Sequence, residues 1–168
     1  MGKNKDGRRH NACSSDCAAR PWTVAQASDL PDGRSRVRLS LAADSETLAA
    51  WPHDFSAELT ISVGATLEVE LAVTNRGQLP APCEMALHTY FSIGDIRHTT
   101  VEGLGGCTFI DKLDHGTRKV QDGNIAFTGE IDRVYLGSEA TAVIRDPVLG
   151  RRISIAKRGS RSTVVWNP

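Results

Sequence analysis

Two alternating apolar runs separated by a glycine turn constrain this chain more than any other feature. From Phe55 to Val63, the residues Phe55, Ala57, Leu59, Ile61 and Val63 fall at every second place. After Gly64-Ala65 the pattern returns from Leu67 to Val73, with Leu67, Val69, Leu71 and Val73 alternating against Glu68, Glu70 and Ala72. A period of two puts all the apolar side chains on one face only if the backbone is extended. A short glycine-containing break between two such runs makes them an antiparallel hairpin, which Asn75-Arg76-Gly77 closes.

The rest of the chain from Pro21 onward is punctuated in the same way, with short β-type runs between Gly, Pro, Asp and Asn. Strands are expected at Trp22–Ala27 and, after a Pro31-Asp32-Gly33 turn, at Arg36–Leu41, where Val37, Leu39 and Leu41 should face a core. The segment Thr47–Pro52 reads as one helical turn or as a loop ended by proline. Further strands are expected around His88, in the β-type run from Ala86 to Ile96, and at Thr99–Glu102, Thr108–Asp111, Asn124–Phe127, Arg133–Tyr135, Ala140–Arg145, Arg152–Ala156 and Thr163–Trp166. No long amphipathic helix interrupts them, so the fold class is all-β, an antiparallel β-sandwich.

Residues 1–19 differ. They hold basic residues and no Leu, Ile, Val or aromatic side chain, and this composition is expected to form a disordered lead-in to a domain over residues 20–168. The lead-in lacks the apolar stretch of a secretory signal. Twenty basic side chains balance twenty acidic ones. That balance argues against nucleic acid or a membrane surface as the partner, since both select clustered positive charge. Cys13 and Cys17 are closely spaced, but no second pair of ligands follows, which argues against a zinc site. Cys83 and Cys107 read as small core or rim residues, reduced in a cytoplasmic protein.

Four places could carry chemistry. His88, among Leu87, Tyr90 and Phe91, is expected at the edge of a packed layer, either as a backbone-satisfied core histidine or as a general acid, because its ordinary pKa of about 6.5 suits acid–base work. Glu130 and Asp132 share one face of an extended strand, where they form either a solvated edge or a pair of acceptors for sugar hydroxyls, with Arg133 as a possible salt partner. Arg20 reads as an anion-binding guanidinium or as a solvated side chain beside Trp22. Gly94-Asp95 reads as a turn that ends the His88 segment.

Taken together, Ala86-Leu87-His88-Thr89-Tyr90-Phe91, Val101-Glu102-Gly103-Leu104, Phe109-Ile110-Asp111-Lys112, Gly129-Glu130-Ile131-Asp132-Arg133-Val134-Tyr135 and Val165-Trp166-Asn167-Pro168 resemble the aldose 1-epimerase (galactose mutarotase-like) superfamily, and within it the glucose-6-phosphate 1-epimerase branch. Trp51-Pro52-His53-Asp54-Phe55 and Leu71–Gly77 fit the same pattern. The resemblance implies a galactose mutarotase-like sandwich that interconverts the α and β anomers of a hexose 6-phosphate without a cofactor or a metal. It implies a small-molecule substrate, no nucleic-acid or membrane partner, and a monomer. It also implies that His88 is the acid that protonates the ring oxygen, that Asp132 binds sugar hydroxyls and that Arg20 helps to hold the phosphate.

The family's catalytic glutamate follows the Trp-Asn-Pro segment, and this chain ends at Pro168. The family's Gln-His-Gly-Phe segment before the Ala-Arg pair is replaced here by Ser15-Asp16-Cys17-Ala18. The expectation is therefore an incomplete mutarotase-like domain with impaired catalysis. The alternatives are an inactive carbohydrate-binding sandwich or a fragment without a function of its own.

Overall fold

A computed structural model describes residues 20–168. The expected lead-in at residues 1–19, with Cys13 and Cys17, lies outside the described residues. The chain divides between Thr89 and Tyr90 into two compact units. Among the described residues no helix is long and apolar enough to cross a membrane.

The first unit is a four-stranded antiparallel meander. Its strands are β1 (Thr23–Asp29), β2 (Ser35–Ala42), β3 (Phe55–Val63) and β4 (Leu67–Asn75), paired in sequence order. The register lines up the apolar sides. Val37, Leu39 and Leu41 face Ile61, Leu59 and Ala57 on β3, which in turn face Val69, Leu71 and Val73 on β4. A β-bulge between Val24 and Gln26 adds one residue to β1, and pairing with β2 continues past the expected end at Ala27 to Asp29 opposite Ser35. Between β2 and β3 the ambiguous segment forms a short helix, α1 (Ser45–Ala50). Asp44 accepts hydrogen bonds from the Glu46 and Thr47 amides while the Thr47 side chain satisfies the Asp44 amide. That reciprocal cap lets so short a helix hold.

The core of this unit is Leu41, Trp51, Phe55 and Ala57, with Trp22, Val73, Ala81 and Cys83 against it. It sits at one end of the sheet, where Trp51 packs 5.5 Å from Phe55. The expectation for β2 is met only there: Leu41 is buried, whereas Val37 and Leu39 are half-buried. At the hairpin end of the same apolar face Val63 is 52% exposed and Leu67 63% exposed. The alternation is right and the coverage is partial.

The second unit contains two four-stranded antiparallel sheets. The strands are β5 (Thr100–Glu102), β6 (Thr108–Asp111), β7 (Thr117–Val120), β8 (Ile125–Ala126), β9 (Ile131–Leu136), β10 (Ala142–Asp146), β11 (Arg151–Ile155) and β12 (Ser162–Asn167). One sheet has the order β11-β10-β5-β8, the other β12-β9-β6-β7. Val101, Ile125, Ala142 and Ile144 from the first sheet and Phe109, Ile131 and Tyr135 from the second form one buried cluster. A core shared by two sheets is the defining feature of a sandwich, so the expected fold class holds for this unit. The strand at β7 is not legible from alternation, because all four of its residues are exposed. It forms as an edge on β6, where Lys119 bonds to Asp111 at 2.9 Å.

One expected strand does not form. Residues 81–93, including His88, are irregular, and His88 is exposed rather than packed at a layer edge. A strand needs a neighbour to receive its amide and carbonyl bonds, and no strand pairing involves this segment among the described residues. Its downstream end is ordered by Asp95, which accepts from the Arg97 amide and caps a 3-10 turn at Ile96–His98, in line with the expected turn at Gly94-Asp95.

Candidate sugar-binding face

Strand β9 presents alternate residues to opposite sides of its sheet. Ile131 and Tyr135 point into the sandwich core. Asp132, Val134 and Leu136 therefore share the outer face. Across the ladder, Trp166 of β12 stands opposite Asp132, and Val164 stands opposite Val134. Tyr90 meets the Trp166 ring edge-on, with centroids 6.2 Å apart and the planes at 88°. The Lys112 amide donates to the Asp132 carbonyl at 2.9 Å, and the Lys112 Nζ lies 3.6 Å from Asp132 Oδ1. The outcome is an open face carrying one partly exposed carboxylate, one ammonium and two exposed aromatic rings. Such a set suits a polyhydroxylated ring. Carboxylate oxygens accept hydroxyl hydrogen bonds, and aromatic faces cover the apolar C–H side of the sugar.

Arg133 does not pair with Glu130 or Asp132, contrary to one sequence-based reading. The pleat sends it to the inner side, where it donates to Gln121 Oε1 at 3.3 Å and lies 4.8 Å above the Phe109 ring. The same Gln121 oxygen accepts from the fully buried Tyr135 hydroxyl at 2.7 Å. Burial raises the Tyr135 pKa, so the hydroxyl remains a donor there. Beside it, the Asp111 carboxyl is held below its ordinary range, first by the Lys119 hydrogen bond. Glu130 is exposed and lies just outside β9.

Arg20, in the first unit, donates to the Glu46 carboxylate and lies 4.0 Å from Asp44. Its guanidinium is thus engaged with the acidic start of α1. Lys112 and the Tyr90–Trp166 pair were not singled out as site residues by sequence reasoning. Trp166 joins Asp132 only through the β9–β12 register, which residue spacing does not encode. Among the described residues no group of three or more His, Cys, Asp or Glu side chains is arranged to hold a metal ion.

The strands and their pairing define an all-β protein built of antiparallel sheets. Residues 4–168 match the family model described as aldose 1-epimerase, and the chain belongs to that family. It is 37% identical over 149 residues to an Escherichia coli protein named "Putative glucose-6-phosphate 1-epimerase", covering 88% of this chain and 49% of the relative. A protein of the same name from Cenchrus ciliaris is 33% identical, with 82% of this chain and 44% of the relative covered. The crystal structure of a mutarotase described as "putative" from Salmonella typhimurium superposes with a TM-score of 0.77 at 35% identity, over 88% of this chain and 48% of that one. A Synechocystis protein at 22% identity shares the fold, with a TM-score of 0.75. The chain spans about half the length of the curated relatives it matches.

Proposed function

We propose that this chain provides the sugar-binding face and the acid of a hexose-6-phosphate mutarotase. The observation that carries the reading is the Asp132, Trp166 and Tyr90 face in a chain of the aldose 1-epimerase family. Asp132 accepts sugar hydroxyl hydrogen bonds while Trp166 and Tyr90 lie against the C–H face of the ring. Arg20 is the anion-binding residue for the phosphate, exchanging its carboxylate partners for phosphate oxygens.

Interconversion of anomers needs a proton taken from the C1 hydroxyl and a proton given to the ring oxygen. The C1–O5 bond then breaks, the open-chain aldehyde turns about C1–C2, and closure on the other face gives the other anomer. His88 is assigned the proton donation. Its exposure suits a group that must meet substrate. The base is not assigned to a residue of this chain. The substrate is a small molecule, and the chain acts as a cytoplasmic monomer, a setting that the free thiols of Cys83 and Cys107 fit.

Two-dimensional exchange NMR on glucose 6-phosphate tests the reading. With one of the two proton-transfer groups unassigned, the chain should accelerate exchange between the two anomers only weakly, and His88→Asn should abolish that residual acceleration. Binding without any acceleration would replace this reading by that of an inactive carbohydrate-binding sandwich, which the same face supports.

A further inference from the structure

The β10–β11 turn of the second unit contains a carboxylate that the proposed chemistry does not use. Asp146 is completely buried. Its Oδ1 accepts from the Leu149 amide at 3.1 Å, which closes the turn. Its Oδ2 accepts from the Gly94 amide, also at 3.1 Å, across 52 residues of sequence. Arg151 stands 3.6 Å from the same oxygen and donates to the Ser92 carbonyl. A buried charge of this kind is costly unless it is fully paired, and here two of its partners belong to, or grip, the segment Ser92–Gly94.

The close approach is required from the other side as well. A Cβ on Gly94 would lie 2.6 Å from the Cβ and Cγ1 of Val148 and 3.3 Å from Asp146 Oδ1. Glycine is therefore the residue that lets the segment dock on the turn. Ile93 and Ile96 then pack against the core cluster. The chain leaving this anchor backwards reaches Tyr90 in two residues from Ser92, and Tyr90 meets Trp166.

We propose that Asp146 is a positioning residue for the sugar-binding face: through the Gly94 amide and Arg151 it holds the irregular Tyr90–Gly94 segment so that the Tyr90 ring stands against Trp166. The proposal deepens the reading of that face as a sugar site and rests on it. Tyr90 is 75% exposed and lies in no strand. The anchor four residues downstream supplies the order that a ladder partner supplies elsewhere.

The test uses the full chain and its Asp146→Ala, Gly94→Ala and Arg151→Gln variants, the last at a partly exposed side chain. The readouts are the nuclear Overhauser contact between the Tyr90 and Trp166 rings and the affinity for glucose 6-phosphate by NMR titration. The Phe109–Tyr135 ring contact in the same spectra reports whether the core is intact. Loss of the Tyr90–Trp166 contact with an intact core, together with an affinity at least fivefold weaker, is the expected result in each variant. A merely structural Asp146 would lower the thermal midpoint and leave ring contact and affinity unchanged in the folded protein, and that outcome overturns the proposal. Loss of the ring contact in variants of a wild-type chain that binds no sugar supports the anchor and overturns the sugar-face reading instead.

Discussion

Trp166 stands directly opposite Asp132 on neighbouring antiparallel strands. This places an aromatic ring and a carboxylate side by side on the outer face of a sheet whose inner face is filled by Ile131, Tyr135 and Phe109. The inner side packs into the core, while Asp132 and Trp166 are partly exposed on the outer side. Directly opposed cross-strand side chains are also the closest that a sheet offers, which suits the proposed contact of both groups with one sugar ring.

Asp132→Ala should weaken glucose 6-phosphate binding by about 10- to 100-fold, the usual worth of a hydrogen bond to a charged group of about 1.5–3 kcal/mol. Trp166→Ala should weaken it less selectively, affecting neutral hexoses and their phosphates alike. Both changes lie on a partly exposed face, so the thermal midpoint should move little. Saturation-transfer NMR and calorimetric titration check the two statements, and unchanged affinity in both variants would remove the face as a binding site.

The hairpin of the first unit should respond very differently at its two ends. Phe55 is 2% exposed and packs on Trp51, and Phe55→Ala should destabilise that unit by about 3–5 kcal/mol. Leu67 on the same sheet is 63% exposed, and Leu67→Thr should stay within about 0.5 kcal/mol of wild type. Urea denaturation of both variants makes the comparison. Equal costs at the two positions would mean that the hairpin end of the face is covered in solution.

Gly103 occupies a left-handed conformation, φ +90°, and a Cβ there would stand 2.3 Å from the Thr141 carbonyl oxygen. Gly103→Ala combines backbone strain of about 1–3 kcal/mol with a clash against backbone that has no freedom to yield. Disruption of the β5–β10 pairing is expected, read as faster hydrogen exchange at Val101 and Ile144. Gly106, also at positive φ but with open space around it, should tolerate alanine better.

Acid should destabilise the second unit partly through Asp111. Its pKa in the folded chain lies below the ordinary 3.8, because Lys119 stabilises the carboxylate. A carboxyl depressed on folding contributes stability above its unfolded value, and that contribution is lost as pH falls below about 3.8 towards the folded value. Asp111→Asn should therefore flatten the decline in urea midpoint measured from pH 7 down to pH 2. An identical acid limb in variant and wild type would show that the Lys119 pair does not contribute to stability.

The all-β class, the hairpin of β3 and β4 and most strands of the second unit were legible in residue order, because alternation and turn chemistry are local properties. Phe55–Val63 and Thr108–Asp111 are strands over the very residues that the pattern marks. The family was legible for the same reason, since its motifs are contiguous. What residue order could not decide is which patterned face finds a cover and which residues meet across a ladder. Leu41 is buried while Val63, on the same apolar side, is not, because Trp51 and Phe55 pack over only one end of the sheet. The run around His88 has β-type composition but no partner strand, so it is irregular. Asp132 meets Trp166, and Gly94 meets Asp146, through register and docking between segments 34 and 52 residues apart. Such contacts are properties of the packed chain and not of any local stretch of it.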